Sequence, residues 1–240
     1  MLVRVLLLSC LAFSGAGFGV DLLKEVPHPI FRAFVPQGFD TNDSIEIMVG
    51  GVFPSTCYKT GDVFTEVSGT TIRINLDAYV YPGKCIPVAI PFYQVVHLGL
   101  IRNAGDYTIE DATSGRKLGT IRISPEPTGS GHGTDNSLYA PLTDAYLLTT
   151  QGRPYLAVMG HFSNDCMGFK NVEMEVYGDV LVVLPRVGIA KNRKCRNGHF
   201  PFHKAFKIPK ELPGGSIMLH VRSATGRAVN KIIVGQTAYR

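Results

Sequence analysis

Outside its first 20 positions the chain has no stretch with apolar residues at helical spacing. Apolar and polar residues alternate instead in short runs separated by turn-forming residues. Ile72, Ile74 and Leu76, with Arg73 and Asn75 between them, place one face of a strand on a core and the other in water. In the first half the pattern predicts strands near 29–35, 44–53, 62–67, 70–76, 86–97, 106–110 and 119–123. Seven short antiparallel strands in about 100 residues predict an immunoglobulin-like β-sandwich, an architectural likeness only, because the Trp and Cys hallmarks of antibody domains are missing.

The pattern occurs twice. KCIPVAIPF (84–92) and KCRNGHFPF (194–202) both read Lys-Cys, five residues, Pro-Phe, with an offset of 110. GDVFTEVSGTTIRIN (61–75) faces KNVEMEVYGDVLVVL (170–184), read here as alternating strands broken at Gly69 and Gly178. SGRKLGTIRI (114–123) matches TGRAVNKIIV (225–234). Between the copies, SPEPTGSGHGTDNS (124–137) is rich in Pro, Gly and Ser and reads as a linker. The expectation is an all-β protein of two tandem immunoglobulin-like β-sandwich domains related by an internal repeat, 20–123 and 138–240.

The composition, 45% hydrophobic and 18% charged over 240 residues, is that of a globular chain and excludes a disordered one. Residues 1–19 have the layout of a secretory signal peptide: Arg4, the apolar run Val5 to Phe13, then small residues with cleavage after Ala16 or Gly19. The apolar run is short for a membrane span. Leu7-Leu8-Ser9-Cys10 also resembles a lipidation box, although Cys10 comes early for one. No later segment is expected to cross a membrane. Cleavage leaves Cys57, Cys85, Cys166 and Cys195, an even count that suggests disulfides in an exported chain. Separations of 28 and 29 within matching copies select Cys57–Cys85 and Cys166–Cys195. In the chain-entropy model each bridge stabilises its domain by about 3.5 kcal/mol.

Cys-Tyr-Lys-x-Gly-Asp-Val (57–63) and Tyr-Pro-Gly-Lys-Cys-Ile (81–86) resemble uncharacterised secreted β-sandwich domains of Gram-negative bacteria, mainly over residues 50–123. The resemblance implies export and a disulfide, and no activity. The second copy keeps the cysteines and Pro-Phe but lacks Tyr-Pro-Gly.

No Gly-x-Ser-x-Gly, His-Glu-x-x-His, Walker loop or dinucleotide glycine fingerprint occurs. Asp106, Glu110 and Asp111 cluster, as carboxylates at strand ends commonly do. Cys195, His199 and His203, with His161 and Cys166, are residue types that suit zinc. Residues four apart on a strand lie about 13 Å apart, however, too far to share one ion, and the first copy has Ala89 and Tyr93 at the matching positions. Oxidised cysteines likewise exclude a Cys166–His161 nucleophile pair. No metal or cofactor is expected.

Charge separates the copies. Residues 20–125 carry 9 Lys/Arg and 11 Asp/Glu, and residues 126–240 carry 14 and 8. From 180 to 210 there are eight basic residues and no acid: Arg186, Lys191, Arg193, Lys194, Arg196, Lys204, Lys207 and Lys210. The loop before the second cysteine becomes a cationic tip, with Lys191, Arg193, Lys194 and Arg196 as the candidate site for an anionic partner: lipopolysaccharide, phospholipid, acidic glycan or protein. The first copy has Tyr79 and Tyr81 in an aromatic loop there. Nucleic acid is disfavoured because no aromatics interleave the charges. The sequence therefore points to an exported, non-enzymatic cell-envelope or surface protein that binds or scaffolds through loops. The alternatives are a hydrolase or metal enzyme with a site between the domains and an assembly subunit pairing by strand edges. Asn42-Asp43-Ser44 is a glycosylation sequon only in a eukaryotic source.

Overall fold

The computed structural model describes residues 23–126, 138–150, 153–208, 212–224 and 226–235. The signal peptide 1–19, Cys10, residues 127–137 of the linker, and Lys210 lie outside them. Every described element is a strand, and no helix among the described residues is long and apolar enough to cross a membrane.

The first half contains β1 (Lys24–Pro27), β2 (Arg32–Phe34), β3 (Phe39–Asp40), β4 (Ser44–Phe53), β5 (Tyr58–Ser68), β6 (Thr71–Val80), β7 (Ile90–Leu100), β8 (Gly105–Asp111) and β9 (Lys117–Ser124). The second contains β10 (Leu142–Thr150), β11 (Arg153–Asn164), β12 (Met167–Tyr177), β13 (Val180–Ile189), β14 (Asn197–Lys207), β15 (Gly215–Val221) and β16 (Val229–Gly235). Strand order β5-β6-β8-β9 in one half has its counterpart β12-β13-β15-β16 in the other, and β2-β4-β7 matches β10-β11-β14. In each half the two sheets face one another as a β-sandwich. Ile47, Ile72, Ile74, Ile109 and Ile121 fill one core, and Leu156, Val158, Leu181, Ile217 and Leu219 the other.

The hairpins at Gly69 and Gly178 follow from local chemistry. Ser68 pairs with Thr71, and Tyr177 with Val180, so each turn has two residues with glycine first. Their φ values, +59° and +57°, are left-handed angles that a Cβ disfavours.

Three strand expectations change. β1 and β3 are additional short strands, and the strand expected over 86–97 begins only at Ile90. Residues 81–89 are tied instead to the 54–58 segment: Thr56 N–H donates to Ile86 O (3.1 Å), and Ile86 N–H donates to Thr56 Oγ1 (3.0 Å). Pairing is also not wholly antiparallel. β6 runs parallel to β8, and β13 to β15, because the chain crosses to the opposite sheet through β7 or β14 before returning.

The two halves are in contact. The outer face of β2-β4-β7 lies on the outer face of β13-β15-β16, with Phe34, Met48, Val180, Val182 and Met218 buried between them. The molecule is thus a stack of four sheets. Burying five such side chains contributes on the order of 10 kcal/mol before ordering entropy is charged against it. This contact corrects the reading of 180–184 as an alternating strand. Val180 and Val182 face the first half while Leu181 and Val183 face their own core, so the run is apolar throughout. The equivalent Thr71, Arg73 and Asn75 alternate with buried Ile72 and Ile74, and no sheet among the described residues packs on that face.

Polar bonds fix the register of the stack. Arg32 Nη2 bonds Asp179 Oδ2 at 2.6 Å, Tyr93 donates to Ser216 Oγ at 3.3 Å, and Glu46 Oε2 accepts from Asn230 Nδ2 at 2.7 Å. Moving back along β4 from Gly50, which pairs with Arg32, to Glu46 therefore means moving forward along β13 and β15. The two strands run oppositely across the interface, which puts the two disulfides at opposite ends of the molecule.

Candidate functional site

The structure joins Cys57 to Cys85 and Cys166 to Cys195, with Cα separations of 5.4 and 5.5 Å. Each bridge pins the loop that follows β6 or β13 to the start of the neighbouring strand. In the second half that loop, 190–196, carries the predicted cations. Ala190 N–H donates to Cys166 O, and Asn192 takes a left-handed φ of 65°, which asparagine tolerates.

Asp165 organises the loop. Its Oδ1 accepts from the Arg196 amide at 2.9 Å and its Oδ2 from Arg196 Nε at 3.0 Å, while Arg193 Nη2 lies 3.1 Å from Oδ1 and donates to the Asp165 carbonyl. The Arg196 amide and guanidinium, and then Arg193, hold the Asp165 carboxyl down to about 2. The four cations consequently divide into two kinds. Arg193 and Arg196 are half neutralised and oriented. Lys191 and Lys194 are exposed, with no side-chain bond among the described residues.

The aromatic pair does not share this surface. Tyr79 is in β6, paired with Glu25 and Lys59, and is therefore a strand residue rather than a loop residue. Asp62, burial and Glu25 raise its pKa, in that order of weight. Tyr81 alone lies past the strand, under the Lys59 ammonium at 5.0 Å, and both tyrosines sit at the far end from the cationic loop.

The residues weighed for zinc are engaged otherwise. The cysteines are oxidised, His161 stacks on His199 with centroids 4.2 Å apart, and His203 Nε2 contacts Tyr146 Oη at 3.0 Å. No three His, Cys, Asp or Glu among the described residues are placed to hold a metal. The acidic cluster also separates. Asp106 and Glu110 lie 3.9 Å from Arg122 and Arg73, and buried Asp111 caps a turn by accepting from Ser114 N–H and Oγ–H.

Local sequence gave no sign of the convergence of titratable groups at the seam between the halves. Glu46, 2% exposed, accepts from Asn230 Nδ2, from the Ala228 amide at 3.1 Å and from His97 Nδ1 at 2.9 Å. Asn230 Oδ1 in turn contacts His220 Nδ1 at 2.7 Å. Because the Asn230 amide nitrogen is committed to Glu46, its oxygen must accept, and His220 carries its proton on Nδ1. The other ring nitrogen, Nε2, is buried without a partner among the described residues. Burial, and less strongly the Arg222 charge, push the His220 pKa down to about 4. Arg222 itself donates to Gly38 O, approaches Asp43 at 3.5 Å and lies over the Phe39 ring. A cleft of about 540 Å³ opens beside this network, lined by residues of both halves including Asn42, Asp43, Tyr139, Arg222 and Arg227.

Residues 47–110 match the family model described as the ORF11 beta-sandwich domain. That span runs from β4 to β8 and includes the first disulfide. Comparison with curated proteins and with solved structures found no match. The chain therefore contains a β-sandwich domain, and its two disulfides fit a protein of extracellular type.

Proposed function

We propose that the protein is a non-enzymatic binding module of the cell envelope or surface, built from two copies of one sandwich, that docks a polyanionic partner such as an acidic glycan through the 190–196 loop. The observation that carries this reading is the division of labour around Asp165. One carboxylate and one disulfide fix the backbone and two arginines, while Lys191 and Lys194 are exposed and have no partner among the described residues. A fixed loop loses little entropy on binding, and its free charges steer an anionic partner. Disulfides on both sandwiches support a place outside the cytosol.

The test is elution from a sulfated-polysaccharide column. The Lys191→Glu/Lys194→Glu variant should elute at clearly lower salt than the parent, with its thermal unfolding unchanged. Equal elution of the two proteins would sink the reading. One observation favours the hydrolytic alternative: Glu46 backs His97, whose ring is half exposed in a shallow groove with Asp62, Thr65 and Gln94. Such a pair can hold a base in one tautomer. Glu46 Oε2, however, is already committed to Asn230 and the Ala228 amide, a structural role that leaves Oε1 for His97. Hydrolysis of any ester or glycoside that His97→Ala abolishes would favour the enzyme.

A further inference from the structure

Exposed apolar side chains are more numerous at one end of the molecule than at the other. At the Cys57–Cys85 end Leu23, Phe31, Val52, Tyr81, Ile86 and Val88 are all exposed, Ile86 by 65% and Phe31 by 50%. The opposite end, with the cationic loop, shows Val67, Leu100, Leu138 and Ile189. Of the six, Leu23 and Tyr81 go with one sheet, Phe31 and Val52 with the other, and Ile86 and Val88 with the loop held to the 54–58 segment. Lys24 pairs with Val80, placing Leu23 beside Tyr81. Thr56 bonds Ile86, Val52 pairs with Pro91, and Phe31 N–H donates to Gly50 O.

The loop that bears them is a rigid presentation of apolar groups. The disulfide, the two Thr56–Ile86 bonds and a Tyr81 N–H bond to Cys57 O hold it, and Pro82 and Pro87 stiffen it. The equivalent loop of the second half shows that the scaffold does not require apolar residues there. Lys191 stands where Tyr81 does, Arg196 where Ile86 does, and Gly198 where Val88 does. Exposed apolar side chains gathered at one end in this way mark an interaction surface.

We infer that the Cys57–Cys85 end docks on a lipid bilayer, with Ile86, Val88, Phe31 and Tyr81 entering the headgroup–acyl boundary. One further observation selects a bilayer over a protein partner. Lys24, Lys59 and Lys84 border the Tyr81–Ile86 side of the apolar groups, with Lys59 resting on the Tyr81 ring. A tyrosine beside lysines at the margin of an apolar tip suits an interface with anionic headgroups. Of the acids at this end, Glu25 and Asp62 are set back beside Tyr79, and Asp179 is paired with Arg32. The inference is independent of what the cationic loop binds. It orients the molecule with that loop facing away from the lipid.

The chain contains no tryptophan, so a single introduced indole reports without background. Ile86→Trp and, at the other end, Ile189→Trp would each be mixed as whole chains with vesicles of phosphatidylcholine and phosphatidylglycerol. The expected result is a blue shift of indole emission from the Ile86→Trp protein and its quenching by brominated acyl chains, with no change for the Ile189→Trp protein. Ile86→Asp/Val88→Asp, at exposed positions that leave folding intact, should lower vesicle binding at least about tenfold. Emission from the Ile86→Trp protein that ignores vesicles would overturn the inference, as would aspartates that leave binding unchanged. A blue shift that grows with protein concentration in the absence of lipid would overturn it in favour of a second copy of the chain.

Discussion

Acidification from pH 7 to pH 4 should weaken the fold through His220. The ring is 1% exposed at the seam, and its proton is already on Nδ1, facing Asn230. A second proton would have to go on Nε2, which has no acceptor among the described residues, in a site that burial and Arg222 make hostile to positive charge. The folded-state pKa is about 4 against an ordinary 6.5. Below pH 6.5 the unfolded chain therefore takes up a proton that the folded one refuses. Stability is intact above pH 6.5, falls as the pH drops toward 4, and levels off once the folded ring also protonates. At about 1.4 kcal/mol per pH unit, the loss from this group is roughly 3 kcal/mol. Urea unfolding followed by far-UV circular dichroism at half-unit steps gives the slope for the parent. The same series for His220→Asn, whose amide still reaches Asn230, removes the titration at a pH-independent cost of about 1–2 kcal/mol for the lost ring packing. The parent should lose roughly 3 kcal/mol more than the variant across the window. Parallel pH profiles for the two proteins would show that His220 is not the group responsible.

Four further outcomes are expected. Glu46→Ala strands the Asn230 amide and the Ala228 N–H and should cost about 3 kcal/mol in urea unfolding. Cys166→Ser/Cys195→Ser releases a closure of 29 residues and should cost about 3.5 kcal/mol, read as a lower denaturation midpoint in non-reducing buffer. Gly160→Ala puts a methyl group 2.1 Å from the Pro141 carbonyl oxygen, a backbone clash that should cost at least about 2 kcal/mol and lower the melting temperature by several degrees. Asp165→Asn strips the internal counter-charge from Arg193 and Arg196, so the variant should elute from a sulfated-polysaccharide column at higher salt than the parent.

The all-β class was legible because strand faces announce themselves locally. Ile72, Ile74 and Leu76 alternate, and glycine at 69 and 178 marks hairpins. The stacking of the halves was not legible, because its contacts join residues such as Glu46 and Asn230, 184 positions apart. Its one local sign was Val180 to Leu184, apolar at every position where its counterpart alternates. At the cationic loop, sequence supplied the charge. Asp165, 31 residues before Arg196, lies outside the basic run, so only the folded chain shows that two of the four cations are held. Tyr79 looked like a loop residue because Pro82 and Gly83 follow closely, yet pairing with β1 and β5 carries β6 to Val80.

Joining unlike faces has a consequence for assembly. A unit whose β2-β4-β7 face fits the β13-β15-β16 face of its neighbour has no twofold axis to close the contact. A chain of such units would in principle grow without end. The described residues form two such units. The free sheet of the first half carries Thr71, Arg73 and Thr108 where the buried one carries Val180, Val182 and Met218, and an Arg73–Glu110 pair lies across it. Polar side chains thus deprive that outer sheet of the apolar face with which the same contact could be repeated.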